Sequence, residues 1–175
     1  MEYEVKENAR SRRVKLSVEI DGRVIVTVPS RKFLFLVPKF VADHEEWIEL
    51  QRTKMQKIGP IVDLNGSAAD FKKHKKIALE FLTKKVFEMN RLYNFSFTKI
   101  SVRSSKGRWG SCSSDGALSF NYRLIKIPVE LVEYVVAHEI AHLAEHNHGP
   151  RFWALVERAI PDYKKRRQAL RKFIL

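Results

Sequence analysis

Two histidines four residues apart enclose a glutamate in the run His138-Glu139-Ile140-Ala141-His142, and a further histidine, His148, follows six residues later. On a helix, residues four apart lie one turn apart on the same face. Two imidazoles so placed can grip one metal ion, and the glutamate between them is near enough to polarise a water on that ion. A third protein ligand leaves one position open, as a catalytic zinc requires. The expected roles are His138, His142 and His148 as neutral zinc ligands. Glu139 is the expected general base toward the water, and then the proton carrier to the leaving group. The bland alternative is two core histidines and a surface glutamate.

The third ligand has rivals. His146 lies four residues after His142. However, a helix carrying three ligands at successive turns would hold the outer two about 12 Å apart, too far for one ion. Glu157, from the next helix, would make a two-histidine, one-carboxylate site. His148, reached by a turn, can fold back and is preferred. Cys112 has two readings, thiolate ligand or small buried residue in a turn. Arg123 is named as a catalytic candidate that holds a substrate carboxylate or phosphate, or stabilises oxyanion charge, with a structural ion pair as its alternative. Trp109, Phe152 and Trp153 are read as packing around the site.

The elements that must position these residues follow from pattern. Val14, Leu16, Val18 and Ile20 alternate with polar residues, Asp21-Gly22 signals a tight turn, and Val24, Val26 and Val28 continue, so 13–29 reads as a β-hairpin. Residues 31–57 read as helical, with Phe40, Val41, Trp47 and Ile48 as anchors, Pro38 near the start and Gly59-Pro60 as the break. Residues 68–93 form a long amphipathic helix with Ala78, Leu82, Val86 and Met89 on one face. Strands are expected at 97–103 and 117–127, around a Ser- and Gly-rich loop at 104–116, and Pro128 introduces the metal helix 129–145. On it Leu131, Val135, His138 and His142 share a face. Asn147 and Gly149 permit the chain reversal behind it. A short helix from Pro150 to Ala159 and a basic terminal helix after Pro161 complete the chain.

At 175 residues, 45% hydrophobic and 30% charged, the chain reads as soluble and globular. An N-terminal hairpin-plus-helix subdomain is expected over 1–62 and a catalytic subdomain over 63–175. No apolar run approaches the roughly 20 residues that span a bilayer. The N-terminus lacks a signal-peptide h-region and there is a single cysteine, so a cytoplasmic protein is expected. The net charge of +13 is clustered at Lys72, Lys73, Lys75 and Lys76, at Lys84 and Lys85, and between Lys164 and Lys172. It reads either as a solvated basic surface or as a face for a polyanion, nucleic acid included. With zinc present, anionic substrates would be drawn to the site at low salt.

The segments Arg108-Trp109-Gly110-Ser111-Cys112, Asn121-Tyr122-Arg123-Leu124, His138 to His142, Asn147-His148 and Phe152-Trp153 together resemble the YgjP-like metallopeptidase family, a zincin-type group of metal-dependent hydrolases. The N-terminal hairpin, Arg12-Arg13 and Trp47-Ile48 also look like that family. His148 followed by Phe152-Trp153 resembles the third-ligand region of the SprT-like DNA-associated proteases, which implies the ligand role for His148. The spacing from His142 to His148 is shared with metzincins, but those carry glycine three residues after the second histidine, where this chain has Glu145. The resemblance implies an α+β, zincin-like fold, with a small mainly antiparallel sheet packed on a long helix and the metal helix. It implies a zinc metallopeptidase, with a strand near 117–124 pairing with extended peptide substrate. It also implies an alternative, a metal-dependent UTP or nucleotide pyrophosphatase, and a third reading as a DNA-associated protease. A non-enzymatic structural zinc, which usually takes four ligands, fits least.

Overall fold

The computed structural model describes residues 1–19, 21–56 and 61–175, which form two compact units, Met1–Ile61 and Val62–Leu175. The expected break at Gly59-Pro60 lies outside the described residues.

In the first unit, β2 (Lys15–Val18) and β3 (Val24–Val28) pair antiparallel, as the alternating valines require. Gly22 takes φ 86° in the connection, a conformation that favours glycine. A further strand, β1 (Glu4–Glu7), pairs parallel to β3. It is exposed along its length and buries no side chain, so it joins through backbone pairing and a surface ion pair between Glu4 and Arg23. The helical stretch is broken into a 3-10 turn (Arg31–Leu36), α1 (Val37–Ala42) and α2 (Glu45–Gln56). Val24, Val26, Val28, Val37, Val41 and Ile48 make a core of their own. Trp47, expected as an anchor, is exposed.

In the second unit, α3 (Ala68–Asn90) begins where the Ser67 hydroxyl accepts from the Asp70 amide, and buries Ala78, Leu82 and Val86. The sheet has the order β5 (Lys99–Arg103), β7 (Ala117–Asn121), β6 (Gly110–Cys112). It is mixed rather than mainly antiparallel. The tight turn at Gly116, φ 80°, folds β6 back on β7, while β5 runs parallel to β7 on its other side. A small parallel pair joins β4 (Val62–Asp63) to the terminal β8 (Phe173–Ile174).

The strand expected to reach residue 127 ends at Asn121. The Asn121 side chain accepts from the Arg123 amide and starts a 3-10 turn, Tyr122–Lys126. Tyr122, Arg123 and Leu124 are all buried, and a strand with one covered face cannot bury three residues in succession. Next comes α4 (Val129–Ala141), in which nine of 13 residues are buried. It is therefore the central helix of this unit, touching α3, β6, α5 (Pro150–Ala159) and α6 (Tyr163–Leu170). None of the helices among the described residues is long and apolar enough to cross a membrane.

Asp70 ties α3 to the turn that precedes α4. Its Oδ2 accepts from the Tyr122 hydroxyl at 2.6 Å and the Lys126 ammonium at 2.7 Å. Chiefly through Lys126, and then through Tyr122, these bonds lower the carboxyl pKa from 3.8 to about 2. A depressed carboxylate stabilises the fold above its unfolded pKa, and that contribution is lost as pH falls through the folded value. Asp70→Asn should therefore lower the thermal midpoint at neutral pH. It should also flatten the loss of stability of the wild type between pH 4 and 2. Equal acid limbs in thermal melts of the two proteins would contradict this.

Candidate active site

The three histidines come together, and His146 and Glu157 stay out on the surface. α4 ends at Ala141 rather than 145, so His142 caps the helix and the chain turns at once. The reversal uses no left-handed residue. Gly149 is extended and opens α5. His148 is thereby brought back with its Nε2 3.1 Å from the Nε2 of His138. One nitrogen from each of His138, His142 and His148 lies within 4.8 Å of the others. Tetrahedral ligands about 2.05 Å from zinc stand about 3.3 Å apart, so this donor set fits one small divalent ion with modest adjustment.

The surroundings prepare the imidazoles as ligands. His142 Nδ1 lies 3.0 Å from the Glu145 carbonyl, a bond that places the proton on Nδ1 and leaves the Nε2 lone pair free. Burial, and then the neighbouring His142 and His148, lower the His138 pKa to about 3 and keep its ring neutral. Its Nδ1 is buried with no partner among the described residues. The Phe152 ring lies 4.8, 4.5 and 4.6 Å from the rings of His138, His142 and His148, so one aromatic side chain braces all three. Trp153 stacks beside His148 and on Tyr163, and the Arg167 guanidinium covers it.

Glu139 is 6% exposed, not a surface residue, and burial pushes its carboxyl up to about 8. A cation on the histidines would act in the opposite sense and favour the carboxylate. Glu139 faces a cleft of about 190 Å³ that His138, Trp109, Tyr134 and Gly110 help to line. Gly110 went unremarked as a single residue in the sequence. A Cβ there would lie 2.6 Å from both Cγ and Oε1 of Glu139, so only glycine lets β6 approach the carboxylate this closely. A glycine inside a strand was the available signal.

Arg123 does not face this cleft. Its guanidinium donates to the carbonyls of Leu64 and Gly66, and more weakly to the Ser104 hydroxyl and the Ser105 carbonyl. It is 3% exposed and spent on backbone, so the expected catalytic role gives way to a positioning one, and not through an ion pair. The strand near 117–124 cannot receive a substrate strand either, because β7 is paired on both sides. Cys112 sits on β6, half-buried, with its thiol pushed up by burial and then by Glu139, and stands outside the ligand cluster.

A family described as YgjP-like, metallopeptidase domain, matches residues 63–173. Among solved structures, the chain is similar to the metallopeptidase zymogen abylysin of Pyrococcus abyssi, with 20% identity over 49% of this chain and 87% of that one, and a TM-score of 0.45. It is similar also to the zymogen jannalysin of Methanocaldococcus jannaschii, with 21% identity over 51% of this chain and 90% of that one, and a TM-score of 0.45. No curated protein matches.

Two outcomes are expected when metal is measured after zinc loading and dialysis. His142→Ala and His148→Ala should each lose most of the zinc that the wild type keeps. Gly110→Ala should keep it, while displacing Glu139 and lowering hydrolytic turnover about 100-fold. Full zinc in His148→Ala would remove His148 from the ligand set.

Proposed function

The chain belongs to the YgjP-like metallopeptidase family, and on that premise we propose that it is a zinc-dependent endopeptidase with a zincin-like site. The zinc would be held by His138, His142 and His148. Bound there, it supplies Lewis acidity toward a scissile carbonyl and acidifies water. The remaining work belongs to this chain's own side chains. Glu139 takes the proton of the attacking water on a carboxylate oxygen and delivers it to the departing amine nitrogen. Its place beside β6 orients that oxygen, and Phe152 keeps the imidazoles from turning.

The observation that carries the peptide reading is the free edge of β6. The Asn121 amide donates to the Trp109 carbonyl, and the Ser113 amide to that of Ala117. Antiparallel pairing alternates, so Trp109, Ser111 and Ser113 point their backbone groups toward β7. Gly110 and Cys112 point theirs outward, at a sheet edge that has no neighbour among the described residues. An extended peptide can add there as a further strand, which brings its backbone past Glu139.

Glu139→Gln should retain zinc and cleave a denatured protein such as casein about 10²–10⁴-fold more slowly than the wild type. UTP offered to the same preparations should release no pyrophosphate above the variant's background. Equal proteolysis by both proteins, or wild-type turnover of UTP alone, would sink the peptidase reading.

A further inference from the structure

Behind β6, on the sheet face away from α4, lies a second cleft of about 300 Å³. Arg103 and Arg108 line it with Ser111 and Ser119. Among the described residues neither arginine has a carboxylate within ion-pair distance or a side-chain hydrogen bond. Three other cations of this unit are spent on carboxylates, Lys85 and Arg166 on Glu133 and Lys126 on Asp70, whereas these two arginines share one cleft with no carboxylate lining it. The cleft is also a held shape. Asn121, 2% exposed, donates to the carbonyls of Ser105 and Arg108, and Arg123 grips Ser104 and Ser105. Two buried side chains thus fix the loop that carries Arg108.

Register relates this cleft to the catalytic one. Ser111 pairs with Ser119, and their side chains share the outer face, whereas a side chain at Gly110 would point at Glu139 on the opposite face. Gly110 and Arg108 line both clefts. A peptide added along the free edge of β6 sends alternate side chains to opposite faces of the sheet. Residues opposite Gly110 and Cys112 turn toward α4. The residue between them, opposite Ser111, turns toward Arg103 and Arg108.

We propose that this second cleft is a specificity subsite for one anionic side chain of the peptide substrate, a carboxylate or a phosphate, carried by the residue that pairs with Ser111. The two guanidinium groups match its charge and the serine hydroxyls add donors. The inference rests on the peptidase reading above. Carboxylate and phosphate share the chemistry, and the test separates them.

The test is cleavage of a mixed peptide library by the zinc-loaded, full-length protein, with products read by mass spectrometry. An acidic residue should be enriched at one fixed position beside the scissile bond. Matched peptides with Asp, Glu, phosphoserine, Ala or Lys at that position then give kcat/KM. Arg103→Ala should lower it about tenfold for the anionic peptide and leave the Ala peptide and the zinc content unchanged. Whichever of the Glu and phosphoserine peptides loses more identifies the anion. A uniform loss across all peptides, or no acidic preference in the wild type, overturns the proposal. Binding of inorganic phosphate to zinc-loaded Glu139→Gln, with and without Arg103→Ala, separates the two levels of failure. If no peptide is cleaved yet phosphate binds in an Arg103-dependent way, the peptidase reading fails. The cleft is then an anion site for a non-peptide substrate such as a nucleotide, and its assignment to a peptide side chain is overturned.

Discussion

The convergence of three imidazole nitrogens on the innermost helix is the constraint around which this fold is arranged. A helix with nine of 13 residues buried would ordinarily be apolar throughout. Here the same helix carries a buried Glu139 and half-buried His138 and His142, and polar groups withdrawn from water cost free energy unless something takes up their lone pair or charge. The fold does not relax that cost by letting the side chains out. It holds them, with Phe152 against all three rings and Glu145 fixing the His142 tautomer. A cation shared by the three nitrogens would offset the cost, and the same ion would favour the charged form of Glu139.

A second constraint joins the sheet to this helix. β6 must pass close enough for Gly110 to meet Glu139, and the loop before it must stay put. Asn121 and Arg123 do this from inside, one capping the turn after β7 while both hold the 104–108 loop. Arg123 also reaches the carbonyls of Leu64 and Gly66, just ahead of α3. Shape at the two clefts is thus set by buried polar side chains bonded to backbone, while the exposed Arg103 and Arg108 are left free to meet charge.

Much of this was legible in the sequence where spacing alone decides. The His138, Glu139 and His142 pattern, the β2–β3 hairpin, α3 and the Pro150–Ala159 helix all announce themselves through local periodicity. What was not legible depends on distant partners. β1 has no apolar alternation to read, because it buries no side chain and joins its sheet through backbone pairing and a surface ion pair. The parallel pairing of β5 with β7 is a matter of topology, not of residue pattern. The end of α4 at Ala141 follows from the turn that returns His148 to His138, and the run Leu143-Ala144-Glu145 would suit a longer helix equally well. Arg123 looked available because its acceptors are carbonyls some 57–59 residues earlier, which no local reading supplies.

The account stands on one ion held by three imidazoles, and X-ray absorption at the zinc edge of the zinc-loaded protein tests that most directly. It predicts a first shell of nitrogen and oxygen near 2.0–2.1 Å with the multiple-scattering signature of three imidazoles. A sulfur ligand near 2.3 Å, which could come only from Cys112, would contradict it. So would a shell with two imidazoles or fewer in the wild type.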